Sequence, residues 1–90
     1  MNTAFLLLAQ YGGQAIIPVE KVCSDYFQHL TSEKFIRKVV AGEIVIPLVR
    51  MEGSQKAAKG VALVDLAAYL DERRAAALKE CQQLNRGWIG

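Results

Sequence analysis

Lys34, Arg37 and Lys38 stand at i, i+3 and i+4, a spacing that puts all three on one side of a helix. That helix is predicted over Thr31–Gly42. Thr31 or Ser32 is its N-cap, Glu33 lies in its first turn against the dipole, and Gly42 supplies a left-handed C-terminal cap. Phe35, Ile36, Val39 and Val40 make up the opposite, apolar face. Cations held outward on an apolar anchor suit a nucleic-acid duplex. Arginine can bind guanine O6 and N7 bidentately, and lysine can reach bases or phosphates in the major groove. An exposed Lys/Arg triplet alone is usually just a solvated face, so a second feature has to decide.

The second feature is the run Gly53-Ser54-Gln55-Lys56-Ala57-Ala58-Lys59, entered from Arg50. It is short, small-residued and cationic, and it lies between two β-prone stretches, so it reads as a hairpin loop. Ser54, Gln55, Lys56 and Lys59 could donate to phosphates or to minor-groove acceptors. A basic helix followed by such a hairpin is the order found in a winged helix-turn-helix.

These two features need elements to position them. A short helix is predicted within Met1–Tyr11, capped by Asn2 or Thr3 and closed by Gly12-Gly13. Ala15-Ile16-Ile17 reads as a strand. Val19, Val22, Cys23, Tyr26 and Phe27 give Pro18–Gln28 a helical period, with Pro18 in the first turn. His29-Leu30 is a turn. Ile44–Met51 is an apolar, β-branched strand that Pro47 restricts to a sheet edge or a strand start. Residues 52–60 form the wing, and Gly60–Ala62 is the returning strand. A long helix over 63–84 follows, striped by Leu66, Leu70, Ala77, Leu78, Cys81 and Leu84. Its stripe can cover the N-terminal helix (Phe5, Leu6, Leu7, Leu8), meet a second copy, or do both. Asn85–Gly90 reads as a frayed tail in which Trp88 and Ile89 are available to dock. The expected fold is α+β, a single winged helix-turn-helix domain over 1–90 with a small antiparallel sheet.

Composition narrows the function classes. The chain has 90 residues, 52% of them hydrophobic, and a net charge of +2. So small a charge gives weak phosphate affinity if spread evenly; it must be concentrated, or two copies must act together. Cys23 and Cys81 have no metal-like spacing and His29 is the lone histidine, so no zinc set exists. Both cysteines fall in apolar helical patterns and read as buried free thiols, which implies a reducing compartment. A Cys23–His29 pair near Asp25 places its nucleophile on an apolar stripe, and Asp71 and Glu72 diverge on their helix, so no catalytic residues are assigned. Gly12-Gly13 is a turn, not a phosphate loop. The apolar run Ala4–Ala9 is too short for an export signal and lacks a basic flank, which points to the cytoplasm.

The residues also carry a family resemblance. MNTAFLLLAQYGGQAIIPVEKVCSDYF, the helix end AGEI, the loop SQKAAKGV and the helix start DLAAYLDERR together resemble the pyocin activator family (PrtN-like proteins). The resemblance runs from Met1 to about Arg74. It implies a transcriptional activator of phage-derived bacteriocin genes that binds a repeated promoter box. It further implies RNA polymerase as a second partner and control by DNA damage. A looser similarity to excisionase- and MerR-like winged helices bears on the fold. DNA contact is expected at Lys34, Arg37, Lys38, Arg50, Ser54, Gln55, Lys56 and Lys59, with no cofactor, no metal, no membrane and no small-molecule substrate. A homodimer at the bacterial nucleoid is expected. The rival expectations are an excisionase-like DNA-bending factor and a protein-binding inhibitor or antirepressor.

Overall fold

A computed structural model describes residues 2–54 and 56–85 of the chain. In order these form α1 (Thr3–Gln10), β1 (Ile16–Pro18), α2 (Val19–Tyr26), α3 (Ser32–Val40), β2 (Val49–Arg50), β3 (Lys59–Ala62) and α4 (Leu63–Leu84). The architecture is α+β: four helices and one three-stranded antiparallel sheet in the order β1-β3-β2. The central strand pairs Ile17 with Val61 on one side and Val49 with Gly60 on the other.

Local chemistry sets most of the boundaries. The Asn2 side chain caps α1 by accepting from the Phe5 N–H. The Gly13 N–H closes the other end of that helix on the Leu8 carbonyl. Pro18 ends β1 and stands as N-cap of α2, so that helix begins one residue later than its periodicity predicts. It also ends early, at Tyr26, because Phe27 leaves helical geometry (φ −132°) and turns into the core.

Phe27 is the junction of that core. Its ring lies 4.9 Å from Phe35 of α3 and 5.7 Å from Tyr69 of α4, both tilted. Ile17, Val22, Phe35, Val61 and Leu66 have no exposed surface, and they draw one residue or more from each of β1, α2, α3, β3 and α4. α1 adds Leu7 and Tyr11 and packs along α4, where the Thr3 hydroxyl donates to Asp71. Phe5, at 72% exposure, stays outside together with Leu6 and Leu8, so α4 covers only Leu7 of the four apolar residues Phe5–Leu8.

Two further expectations change. The strand expected over Ile44–Met51 contributes only Val49–Arg50 to the ladder. Ile44 and Ile46 are buried and Val45 is exposed, so this stretch alternates like a strand but packs on the core without strand pairing. Pro47 has no N–H to pair. Cys23 is buried, whereas Cys81 is exposed: the stripe of α4 continues past the body it should cover. The tail residues Trp88 and Ile89 lie outside the described residues.

Gly60, in the central strand, is required by close approach. A Cβ there would fall 2.6 Å from Ile16 Cγ2 and 2.9 Å from the Ile17 carbonyl oxygen. Gly60→Ala is expected to destabilise the fold by about 1–3 kcal/mol in urea unfolding. Gly53→Ala, in open space on the hairpin, should stay within about 0.5 kcal/mol of the parent.

Candidate nucleic-acid interface

α3 is built to be held from one side. Thr31 is its N-cap, its hydroxyl accepting from the Lys34 N–H at 3.2 Å, and Glu33 sits in the first turn. Phe35 is fully buried, and Ile36 and Val39 are partly buried. Val40, read from the sequence as part of this face, is 74% exposed. A helix turns 100° per residue, which carries position 40 off the arc that Phe35 centres. Lys34 and Arg37 are exposed, with no ion pair among the described residues.

Lys38 is different. α3 ends in a Schellman turn: the Gly42 N–H donates to the Val39 carbonyl, and the Glu43 N–H to the Lys38 carbonyl at 2.9 Å. That turn brings Glu43 over Lys38, and Lys38 Nζ donates to Glu43 Oε1 at 3.4 Å. One cation of the triplet thus closes the helix end. Glu43 gave no hint of this in sequence, because the contact exists only once glycine reverses the chain.

The hairpin carries the other cations. Arg50 and Lys59 lie directly opposite across the β2–β3 ladder. The Met51 N–H continues the pairing onto the Ala58 carbonyl, and the tip is a turn from Ser54 to Ala57. The Ser54 hydroxyl accepts from the Lys56 N–H, so it helps shape the loop. Arg50, Ser54 and Lys56 are exposed and Lys59 is half-exposed. Gln55 lies outside the described residues.

The cationic set therefore falls in two groups on separate elements. α2 links them, because it packs against both α3 and β3. Ser24 on its outer edge and Gln28 in the turn beyond it face Thr31 and Ser32 across an open polar groove of about 480 Å³ at the start of α3. These polar residues carried no distinguishing pattern in sequence. Behind α2, the Tyr11 hydroxyl donates to Asp25 Oδ2 at 2.7 Å. Burial, and then this bond, hold the tyrosine well above its ordinary ionisation range. The Cys23 thiol is likewise pushed up by burial, against a smaller lowering by its bond with Ser32. Among the described residues no group of His, Cys, Asp and Glu could hold a metal ion. No helix there is long and apolar enough to cross a membrane.

The chain is a small α+β protein that carries a basic helix and a basic hairpin on one frame centred on α2. Compared with models of protein families, it matches that of the pyocin activator protein PrtN over residues 3–77, and the chain belongs to that family. This is a regulatory family, of regulators of pyocin genes. Neither the curated proteins nor the solved structures contain a match.

The α3 terminus separates backbone from charge. Gly42 has φ +79° with open space around it, so Gly42→Ala should cost about 1–2 kcal/mol of stability from conformation alone. Glu43→Gln removes only a partly exposed ion pair and should cost less than about 0.5 kcal/mol. Thermal unfolding of the two variants at one pH checks the contrast.

Proposed function

We propose that the chain is a sequence-specific DNA-binding activator of pyocin genes, acting as a winged helix-turn-helix. In this reading α2 and α3 are the helix-turn-helix, α3 enters the major groove, and the β2–β3 hairpin is the wing on the backbone or in the minor groove. The carrying observation is α3 itself: a helix anchored through Phe35, with Lys34 and Arg37 unpaired in solvent, in a chain of the pyocin activator family. The element order and the β1-β3-β2 sheet support the winged reading.

The roles divide by chemistry. Arg37 is assigned to base edges and Lys34 to bases or phosphates. Arg50, Ser54, Gln55, Lys56 and Lys59 are assigned to sugar-phosphate or minor-groove acceptors. Lys38 must leave Glu43 to take part, so its share is smaller. A net charge of +2 is low for one copy bound alone, and a homodimer on a repeated or palindromic box supplies the deficit. The setting proposed with this activity is the bacterial cytoplasm, with RNA polymerase as second partner and DNA damage as the trigger of expression.

Selection of a DNA site with purified protein, followed by binding isotherms at stated salt, tests the reading. Arg37→Ala should cost about 1–3 kcal/mol on the selected site and little on random DNA. Lys56→Ala should weaken both alike. Joint replacement of Lys34, Arg37 and Lys38 by Ala with no change in the isotherm would sink the assignment of α3. A strong DNA bend without promoter activation would favour an excisionase-like role instead.

A further inference from the structure

α4 outruns the body it packs on. Leu63, Leu66 and Ala67 are buried, and Tyr69 and Leu70 are half-buried. From Asp71 to Leu84, about 21 Å of helix, every residue is exposed, and among the described residues only the start of α1 touches it, at Asp71. The described chain is accordingly elongated, 55 Å by 29 Å by 19 Å. Its radius of gyration is 15.5 Å, where a compact chain of this length would have about 12 Å. A helix of this length is marginal in water without packing. Yet the overhang keeps its apolar face: Ala77 and Leu84 follow Leu70 at heptad steps, flanked by Leu78 and Cys81. Leu78 is 47% exposed and Leu84 75%.

We infer that the overhang is the seat of a second copy of the chain, the two α4 helices pairing antiparallel with their crossing at Ala77. This deepens the dimeric reading above and rests on it for its use on DNA, but not for its geometry. Two features bear on this centre. The first is length. α1 starts beside Asp71, where Thr3 holds it, so space along the stripe opens only past that level. An antiparallel copy centred on Ala77 brings the partner's Leu84 level with Leu70, at the edge of the part that α1 covers. The second is charge. Asp71, Glu72, Arg73 and Arg74 precede Ala77, and Lys79 and Glu80 follow it, so each side carries both signs. Antiparallel pairing sets Arg74 level with the partner's Glu80, twice by symmetry. Parallel, in-register pairing would set arginine against arginine and glutamate against glutamate. A small residue at the crossing lets the two axes approach closely.

The geometry also separates the cysteines. Eight residues divide Cys81 from the partner's Cys81 along the axis, about 12 Å, too far for a disulfide. The pairing is two-fold, so the two α3 helices are related by the same axis and match an inverted DNA site.

Mass measurement of the full chain without DNA should show a dimer. Glu80→Arg should raise its dissociation constant about tenfold, through two pairs turned repulsive, as should Arg73→Glu with Arg74→Glu. The three changes together should restore the parent value. In a Cys23→Ser, Cys81→Ser background, Ala77→Cys should cross-link under mild oxidation, whereas native Cys81 should not. A monomer at all concentrations, a Cys81 cross-link between copies, or no rescue by the charge swap overturns the inference. A monomer that still selects a DNA site would overturn this pairing and leave the DNA reading standing; a dimer of this geometry that ignores DNA would do the reverse.

Discussion

Phe27 stands where α2, α3 and α4 meet, and the packing of its ring on Phe35 and Tyr69 is the contact on which the arrangement depends. α3 is short, and Phe35 is its one fully buried side chain. Nearly all the orientation of the basic helix therefore comes from one aromatic pair and the flanking Ile36 and Val39. The same ring ends α2, because Phe27 must leave helical geometry to reach the core. Termination of one helix and docking of the next are thus a single event. In a domain of this size, with little buried surface to spare, such double use is economical.

The charged face is shaped as much by backbone as by composition. Gly42 reverses the chain, Glu43 swings over Lys38, and the triplet becomes two free cations and one engaged in closing its own helix. In the hairpin, strand register sets Arg50 opposite Lys59. Both arrangements follow from hydrogen-bond geometry, and both change how an approaching polyanion would meet the surface. On the proposed reading, Lys34 and Arg37 come ready for DNA, whereas Lys38 must exchange a partner.

α4 shows how one amphipathic pattern can serve two surfaces. Its stripe is continuous from Leu63 to Leu84, but α1 and the sheet cover only the first part. α1 is only 8 residues long, and the covering ends where Thr3 meets Asp71. Both signs stand on each side of Ala77, and on the inferred pairing an inverted twin, unlike an aligned one, sets Arg74 level with Glu80. The N-terminal helix thus measures how much of α4 the body keeps for itself.

Much of this was legible in the residues. The helix of Thr31–Gly42 with its Thr31 cap and Gly42 end, the strand at Ile16-Ile17, and the long helix over 63–84 follow from local signals: capping side chains, a glycine that tolerates positive φ, and apolar or β-branched patterning. Such signals act over a few residues, and the structure keeps them. Whether a patterned position was covered could not be read in the same way. Val40 and Cys81 fit apolar stripes and are exposed, and Ile44 and Ile46 alternate like a strand yet are buried without joining the ladder. The cations of Thr31–Gly42 followed the same division. Their common face was set by spacing alone, because a helix fixes angles between neighbours. Which of them stayed free depended on Glu43 crossing the Schellman turn, and which apolar faces were covered depended on where α1 stopped. Both are distances between parts of the chain that only the folded backbone brings together.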